Sequence, residues 1–162
     1  DRKATALTSK GADAIEFLIS ANPGQEPRPI AKIASGGELS RIMLAIKNVL
    51  SDKDSIDTLI FDEIDTGVSG SAAEKIALKL QQVSKGRQVI CVTHLARIAA
   101  QADRHMKIMK SVEGNKTFTE IIPLDFDGRA AEIARITAGG SVTALQLETA
   151  KEMLINAKES AK

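Results

Sequence analysis

Three short stretches of this chain combine residue types that handle phosphate. Ala34-Ser35-Gly36-Gly37-Glu38-Leu39-Ser40-Arg41 sets a serine and two glycines at the expected start of an amphipathic helix. A helix start presents free backbone N–H groups and the positive end of the helix dipole, and both favour a bound phosphate. Asp62-Glu63 closes an apolar run downstream. There one carboxylate can hold a divalent metal, directly or through water, and the other can polarise an attacking water. Thr93-His94 closes a second apolar run, where an imidazole can hydrogen-bond a γ-phosphate and sense its loss. Each stretch alone also has a plainer reading. Ser35 and Glu38, three places apart, fit a capping box; Asp62-Glu63 fits a solvated strand end; His94 fits a surface loop.

The elements that must position these residues can be read from periodicity. Leu39, Ile42, Met43, Ile46, Val49 and Leu50 recur at helical spacing on one face, which predicts a helix over about 36–51. Thr58-Leu59-Ile60-Phe61 is a continuous apolar run, as in a strand buried on both faces, and the strand is expected over about 58–62. After a polar loop from Thr66 to Gly70, a helix over 71–84 turns Ala73, Ile76, Ala77, Leu80 and Val83 inward and stops at Gly86. Gln88 to Val92 gives the next buried strand, about 88–92, with Cys91 as inert core. Strand, helix and strand form a βαβ unit, hence two parallel strands with a right-handed crossover. In an open parallel sheet ligands bind beyond the carboxyl ends of strands, so Asp62, Glu63, Thr93 and His94 share one rim if the two strands lie close together.

Around this unit, residues 14–20 are expected to form a strand and Ala21 to Pro29, with three of the four prolines, a loop. A short helix over 95–102, a hairpin of 105–111 with 116–122, and helices over about 128–138 and 142–160 complete the chain. The last helix offers Val142, Leu145, Ala150, Leu154 and Ala157 as its apolar positions. His105 falls in the hairpin with no assigned role.

Composition narrows the function classes. With 162 residues and 43% apolar content, one domain or one lobe of a larger one with a real core is expected. Aromatic residues are only 2%, without Trp or Tyr, so base stacking on aromatic platforms is disfavoured. Lys plus Arg (22) nearly balances Asp plus Glu (21), which gives no electrostatic signal for nucleic acid or an anionic membrane. A single cysteine excludes an internal disulfide and suits a reducing compartment. No apolar run approaches the roughly 18 residues of a membrane span, and there is no signal peptide. The first residue is not Met, as expected of a piece of a longer chain.

The order of these features resembles the C-terminal lobe of an ABC-type ATPase head, a P-loop NTPase-like α/β fold with a mainly parallel sheet, flanking helices and a peripheral hairpin. Ser35-Gly36-Gly37-Glu38 resembles the signature motif, Leu59 to Glu63 the Walker B strand, and Thr93-His94 the switch histidine. Within that superfamily the chain is similar to the RecN family, bacterial double-strand-break repair ATPases related to SMC proteins. The similarity lies in Gly11-Ala12-Asp13, Glu16-Phe17-Leu18, Ser20 to Gly24, Ala34 to Arg41, Phe61 to Gly70 and Val92 to Leu95.

The resemblance implies that Asp62 orients Mg²⁺, that Glu63 is the general base, and that His94 contacts the γ-phosphate in its own head. It further implies that Ser35, Gly36, Gly37 and Glu38 form the nucleotide-binding signature and face ATP held by a second head. ATP and Mg²⁺ are the implied cofactors, and residues 1–162 would be one head lobe. The implied partners are an N-terminal Walker A lobe of the same protein, a second head in a homodimer, and DNA, in the bacterial cytoplasm and at no membrane. Many ABC heads carry an aspartate six residues after the Walker B glutamate; here that position is Ser69, as in RecN-like sequences, and the role of nearby Asp65 stays open. The chain has no Gly-x-x-x-x-Gly-Lys-Ser/Thr loop and no Gly-Lys dipeptide, so by itself it would hold half of each composite site and not hydrolyse ATP. Two alternatives remain at this point: a transporter nucleotide-binding domain, disfavoured by Glu38 where transporters usually have Gln, and a non-catalytic α/β interaction module.

Overall fold

A computed structural model describes residues 9, 11–13, 15–20, 24–32, 35–50 and 55–159. In chain order these form β1 (Leu18–Ile19), β2 (Arg28–Pro29), a 3₁₀ turn (Ile30–Lys32), α1 (Gly36–Val49), β3 (Thr58–Phe61), α2 (Gly70–Val83) and β4 (Gln88–Cys91). There follow α3 (Ala96–Ala100), β5 (Met106–Glu113), β6 (Lys116–Pro123), α4 (Phe126–Ala138) and α5 (Ala144–Glu159). No helix among the described residues is long and apolar enough to cross a membrane.

The expected βαβ unit is present. β3 and β4 pair in parallel with Phe61 opposite Cys91, and α2 makes the crossover. Ala73, Ile76, Ala77, Leu80 and Val83 are all buried, as the helical spacing predicts. Ile76, Ala77, Leu80 and Val83 meet Leu59, Phe61, Ile64, Leu44 and Ile98 in one core. A second core joins Ala100, Ala130, Ile133 and Ala134 to Ala150, Leu154 and Ala157, so α3, α4 and α5 pack as a unit beside the first. Val142 and Leu145, expected on the inner face of the last helix, are exposed.

Several expectations need correction. Among the described residues the parallel sheet is this single pair of strands, because the chain contributes one βαβ unit; the other two sheets are antiparallel pairs. Burial of β3 is one-sided: Leu59 and Phe61 point into the core, while Ile60 is 69% exposed, since helices cover one face only. Of residues 14–20 only Leu18–Ile19 is strand, paired with Arg28–Pro29 inside the expected loop. Ile15, Phe17 and Leu18 have no core to lie on and stay exposed, and Pro29 lacks an N–H to extend a ladder. Ala14 and residues 21–23 lie outside the described residues.

The orientation of α1 is the largest departure. Its predicted inner face is mostly exposed or half-buried; the buried positions are Gly37 and Leu44. The face turned inward follows the same helical spacing through Gly37, Arg41, Leu44 and Asn48. Asn48 Nδ2 donates to the carbonyls of Leu44 at 2.9 Å and of Lys79, on α2, at 3.2 Å. Polar tertiary contacts, which no hydropathy pattern encodes, set this rotation. The helix ends at Val49, with the Leu50 N–H donating to Ile46; residue 51, where it was expected to end, lies outside the described residues.

Candidate functional site

The carboxyl ends of β3 and β4 lie side by side, the Val92 N–H donating to the Phe61 carbonyl at 2.9 Å. That register sets Asp62-Glu63 next to Thr93-His94 on one rim. The chain then enters a tight loop. The Asp62 Oδ1 accepts the Glu63 N–H at 2.9 Å, the Thr66 N–H donates to the Glu63 carbonyl at 3.0 Å, and the Val68 N–H donates to the Asp65 carbonyl at 3.1 Å. Ile64, wholly buried, pins the loop to the core. Glu63 has φ +56°, the sole positive value at a non-glycine residue among the described residues. A side chain in the left-handed region costs about 1–3 kcal/mol, which the surrounding contacts must over-determine.

The start of α1 supplies those contacts. The Ser40 hydroxyl donates to the Asp62 carbonyl at 2.8 Å. Arg41 Nη1 donates to the carbonyls of Ile64 at 3.1 Å and Thr66 at 3.0 Å. The approach is close enough to need glycine. A Cβ on Gly37 would stand 2.8 Å from the Glu63 carbonyl oxygen and 3.0 Å from Thr66 Cβ; one on Gly36 would stand 2.8 Å from Glu63 Oε2. So Gly36 and Gly37 lie against Glu63 within one chain, where the resemblance had assigned them to nucleotides on different heads.

Ser35 takes the N-cap position in extended backbone geometry, and its carbonyl accepts the Leu39 N–H at 3.1 Å. Its side chain makes no capping hydrogen bond, so the expected capping box with Glu38 does not form. Tertiary bonds from Ser40 and Arg41, rather than a local box, hold this helix start in place. Glu38 is exposed on the first turn, and Asp62 and Glu63 are likewise exposed.

On the neighbouring strand end, His94 reaches back into the loop. Asp65, 2% exposed, accepts from the Thr93 hydroxyl at 2.5 Å and from the His94 N–H at 2.8 Å, and its Oδ2 lies 3.1 Å from His94 Nδ1. Burial by itself would raise the Asp65 pKa; the Thr93 and His94 hydrogen bonds and the nearby imidazole outweigh it and hold the carboxyl below its ordinary 3.8. The Cys91 thiol is pushed up to about 12 by burial and then by the charges of Asp65 and Asp62, so it stays a protonated wall residue.

The rim thus gathers Gly36, Gly37, Asp62, Glu63 and His94. Ser40 and Arg41 were not singled out from sequence, Thr93 was placed only on the rim and the role of Asp65 was left open; these four are the residues that fix the others. Their one legible signal was their place inside the stretches Ala34–Arg41, Phe61–Gly70 and Val92–Leu95. No group of three or more His, Cys, Asp or Glu side chains able to hold a metal occurs among the described residues. Mg²⁺ does not require one: it takes one or two carboxylates and completes its shell with water and substrate phosphate. Asp62, exposed and with Oδ1 turned to the Glu63 N–H, fits that mode.

No protein-family model matches the chain. The DNA repair protein RecN of Bacillus subtilis (strain 168) is 48% identical over 153 residues, 94% of this chain and 27% of that protein. RecN of Treponema pallidum (strain Nichols) is 51% identical over 144 residues, 89% of this chain and 25% of that protein. RecN of Vibrio cholerae is 44% identical over 147 residues, 91% and 26%. A solved SMC head domain from Thermotoga maritima shares 26% identity over 64% of this chain and 37% of its own, with a TM-score of 0.45, a likeness too loose to bear on the site. The chain spans about a quarter of the length of the curated relatives it matches. Nearly half its residues are identical to theirs along nine-tenths of its length, so the chain is similar to a segment of RecN proteins about a quarter of their length.

Proposed function

We propose that residues 1–162 are the C-terminal lobe of a RecN-type ATPase head acting in DNA double-strand-break repair and recombination. The observation that carries this is the junction of α1 with the β3 loop: a glycine pair at a helix start, lying on the backbone of a glutamate that follows an aspartate at a strand's carboxyl end. A phosphate site at a helix start is favoured where the first residues carry no side chains, as Gly36-Gly37 do, with the Glu63 side chain lying beside Gly36. The transporter alternative is set aside, since the relatives above are DNA repair proteins.

In this reading Ser35, Gly36, Gly37 and Glu38 line the nucleotide. Asp62 holds Mg²⁺, which neutralises charge on phosphate oxygens when bound. Glu63 accepts a proton from the attacking water. Its backbone is held by the Ser40 and Arg41 bonds to the loop and by the Gly37 contact, while its side chain stays exposed. His94 hydrogen-bonds the γ-phosphate through its outward edge.

The uncovered apolar surface supports an incomplete head. Leu39, Met43 and Val49 of α1 and Leu50 just after it, with Ile60 and Ile90 of the strand pair and Val92 just after β4, are exposed. An N-terminal Walker A lobe of the same protein is the occupant we propose, with ATP joining two such heads as a homodimer and hydrolysis releasing them. DNA is the proposed target, at the nucleoid in the bacterial cytoplasm.

The test is Glu63→Gln in the full-length protein. We expect ATP binding and head pairing to persist while hydrolysis is abolished, a loss of at least about 10²-fold for a missing general base. Turnover at the unmodified rate refutes the assignment.

A further inference from the structure

Asp65 is a buried carboxylate in a loop whose neighbours Asp62 and Glu63 face solvent. A carboxylate in that position is costly unless its oxygens are hydrogen-bonded. Here a single oxygen, Oδ2, accepts the Thr93 hydroxyl and the His94 backbone N–H, and the His94 ring nitrogen Nδ1 stands 3.1 Å from the same oxygen. The Thr93 oxygen in turn accepts the Leu95 N–H at 3.1 Å, which fixes the hydroxyl's direction.

An ionised carboxylate only accepts, so the imidazole nitrogen facing it carries hydrogen. In the neutral ring, hydrogen on Nδ1 leaves Nε2 with its lone pair. Because Nδ1 meets a buried oxygen while the side chain is 71% exposed, Nε2 lies on the solvent side of the ring. Backbone and ring of His94 are held by the same atom, which limits rotation as well as tautomer.

We propose that Asp65 is the positioning residue for His94, holding the ring in its Nδ1–H form with Nε2 presented to the rim. What Nε2 meets there rests on the ATPase reading; the state of the ring does not. A carboxylate in this role links the two strand ends, so that loss of the β3 loop's shape also loosens the histidine that follows β4.

The ring is read directly by long-range ¹H–¹⁵N correlation spectra of the full 162-residue chain labelled at histidine. It has two histidines, and His105→Gln assigns the signals. With the ring neutral, His94 is expected in the Nδ1–H form, the minor tautomer of free histidine; an Nε2–H or averaged pattern overturns the proposal. Asp65→Ala is expected to release the ring to the Nε2–H form, and an unchanged pattern in the folded variant overturns it too. Should that variant not fold, the unsubstituted chain's spectrum decides alone. In the full-length protein Asp65→Ala is expected to lower turnover by about 10²-fold with ATP affinity retained, as for a group displaced from a productive pose. Unchanged turnover counts against the role. Glu63→Gln separates the two readings. If it hydrolyses ATP normally while His94 is Nδ1–H, the ATPase reading fails and the Asp65–His94 pair stands; if it is inactive and His94 is not Nδ1–H, the pair alone fails.

Discussion

Substituting Gly36 and Gly37 separately by alanine tests the junction of α1 with the β3 loop. In a helix alanine is favoured over glycine by about 1 kcal/mol, so both changes begin with a small gain. At Gly36 the new methyl meets only Glu63 Oε2, at 2.8 Å, the free end of an exposed side chain that can swing away. We expect Gly36→Ala to melt within about 0–4 °C above the unsubstituted chain. At Gly37 the methyl meets the Glu63 carbonyl at 2.8 Å, Thr66 Cβ at 3.0 Å and Arg41 Nη1 at 3.1 Å. The carbonyl cannot yield without disturbing its hydrogen bond from the Thr66 N–H, nor Arg41 without disturbing the two from Nη1. Overpacking costs about 1–3 kcal/mol, and weakening a charge-assisted hydrogen bond adds about 1 kcal/mol or more. After the helical gain the net is about 1–3 kcal/mol of destabilisation. For a chain of this size each kcal/mol is worth about 2–4 °C in Tm, so Gly37→Ala should melt roughly 2–12 °C lower. Thermal unfolding of the two variants by circular dichroism reads this contrast. If Gly37→Ala melts at or above the unsubstituted chain, or Gly36→Ala falls as far as Gly37→Ala, the close packing of this helix start on Glu63 is refuted.

Two further outcomes follow from other parts of the molecule. Glu132 on α4, 8% exposed, is held at about 2 by its hydrogen bond to Arg135, against burial, with Lys107 adding to the effect. A depressed carboxylate pKa stabilises the fold above its unfolded value of 4.5 and loses that contribution as pH falls toward 2, up to about 3 kcal/mol; Tm should therefore drop more steeply between pH 5 and 2 in the unsubstituted chain than in Glu132→Gln, and equal slopes contradict it. The chain on its own, without a phosphate loop, should bind ATP more weakly than the micromolar range and release no phosphate, so micromolar affinity by titration calorimetry, or turnover, contradicts the division of the site between two lobes.

The parts of the fold that were legible in the sequence are those where hydropathy alone decides. α2 is amphipathic and its five expected inner positions are the buried ones. β3 and β4 are short apolar runs, and their parallel pairing follows from the helix between them. The hairpin of β5 and β6 lies within two residues of its expected bounds. Legibility fails where polar contacts between distant residues outweigh hydropathy. Nothing in the local pattern of α1 says that Arg41 will bond two carbonyls more than twenty residues away, yet those bonds and the Gly37 contact turn the helix and leave its apolar stripe outward. The same holds for the site. Asp62, Glu63 and His94 stand at strand ends and could be found from that; Asp65 could not, because its role depends on reaching Thr93 and His94 across the sheet.

The exposed stripe of α1 and the strain at Glu63 have one source. The tertiary bonds of Ser40 and Arg41 take three carbonyls of the loop, those of Asp62, Ile64 and Thr66, and so leave the backbone no relaxed path through Glu63. A helix start anchored in this way is as rigid as the loop it holds, and the two move together. Rotating α1 to bury Leu39, Met43 and Val49 on this lobe would break those bonds, free Glu63 from its left-handed geometry and open the glycine contact. The apolar surface of α1 is therefore left for another element to cover while the polar face stays committed to the site. Covering the stripe from outside would hold the Gly37–Glu63 junction without altering it, so in the proposed reading contact with a second lobe would steady the placement of Glu63.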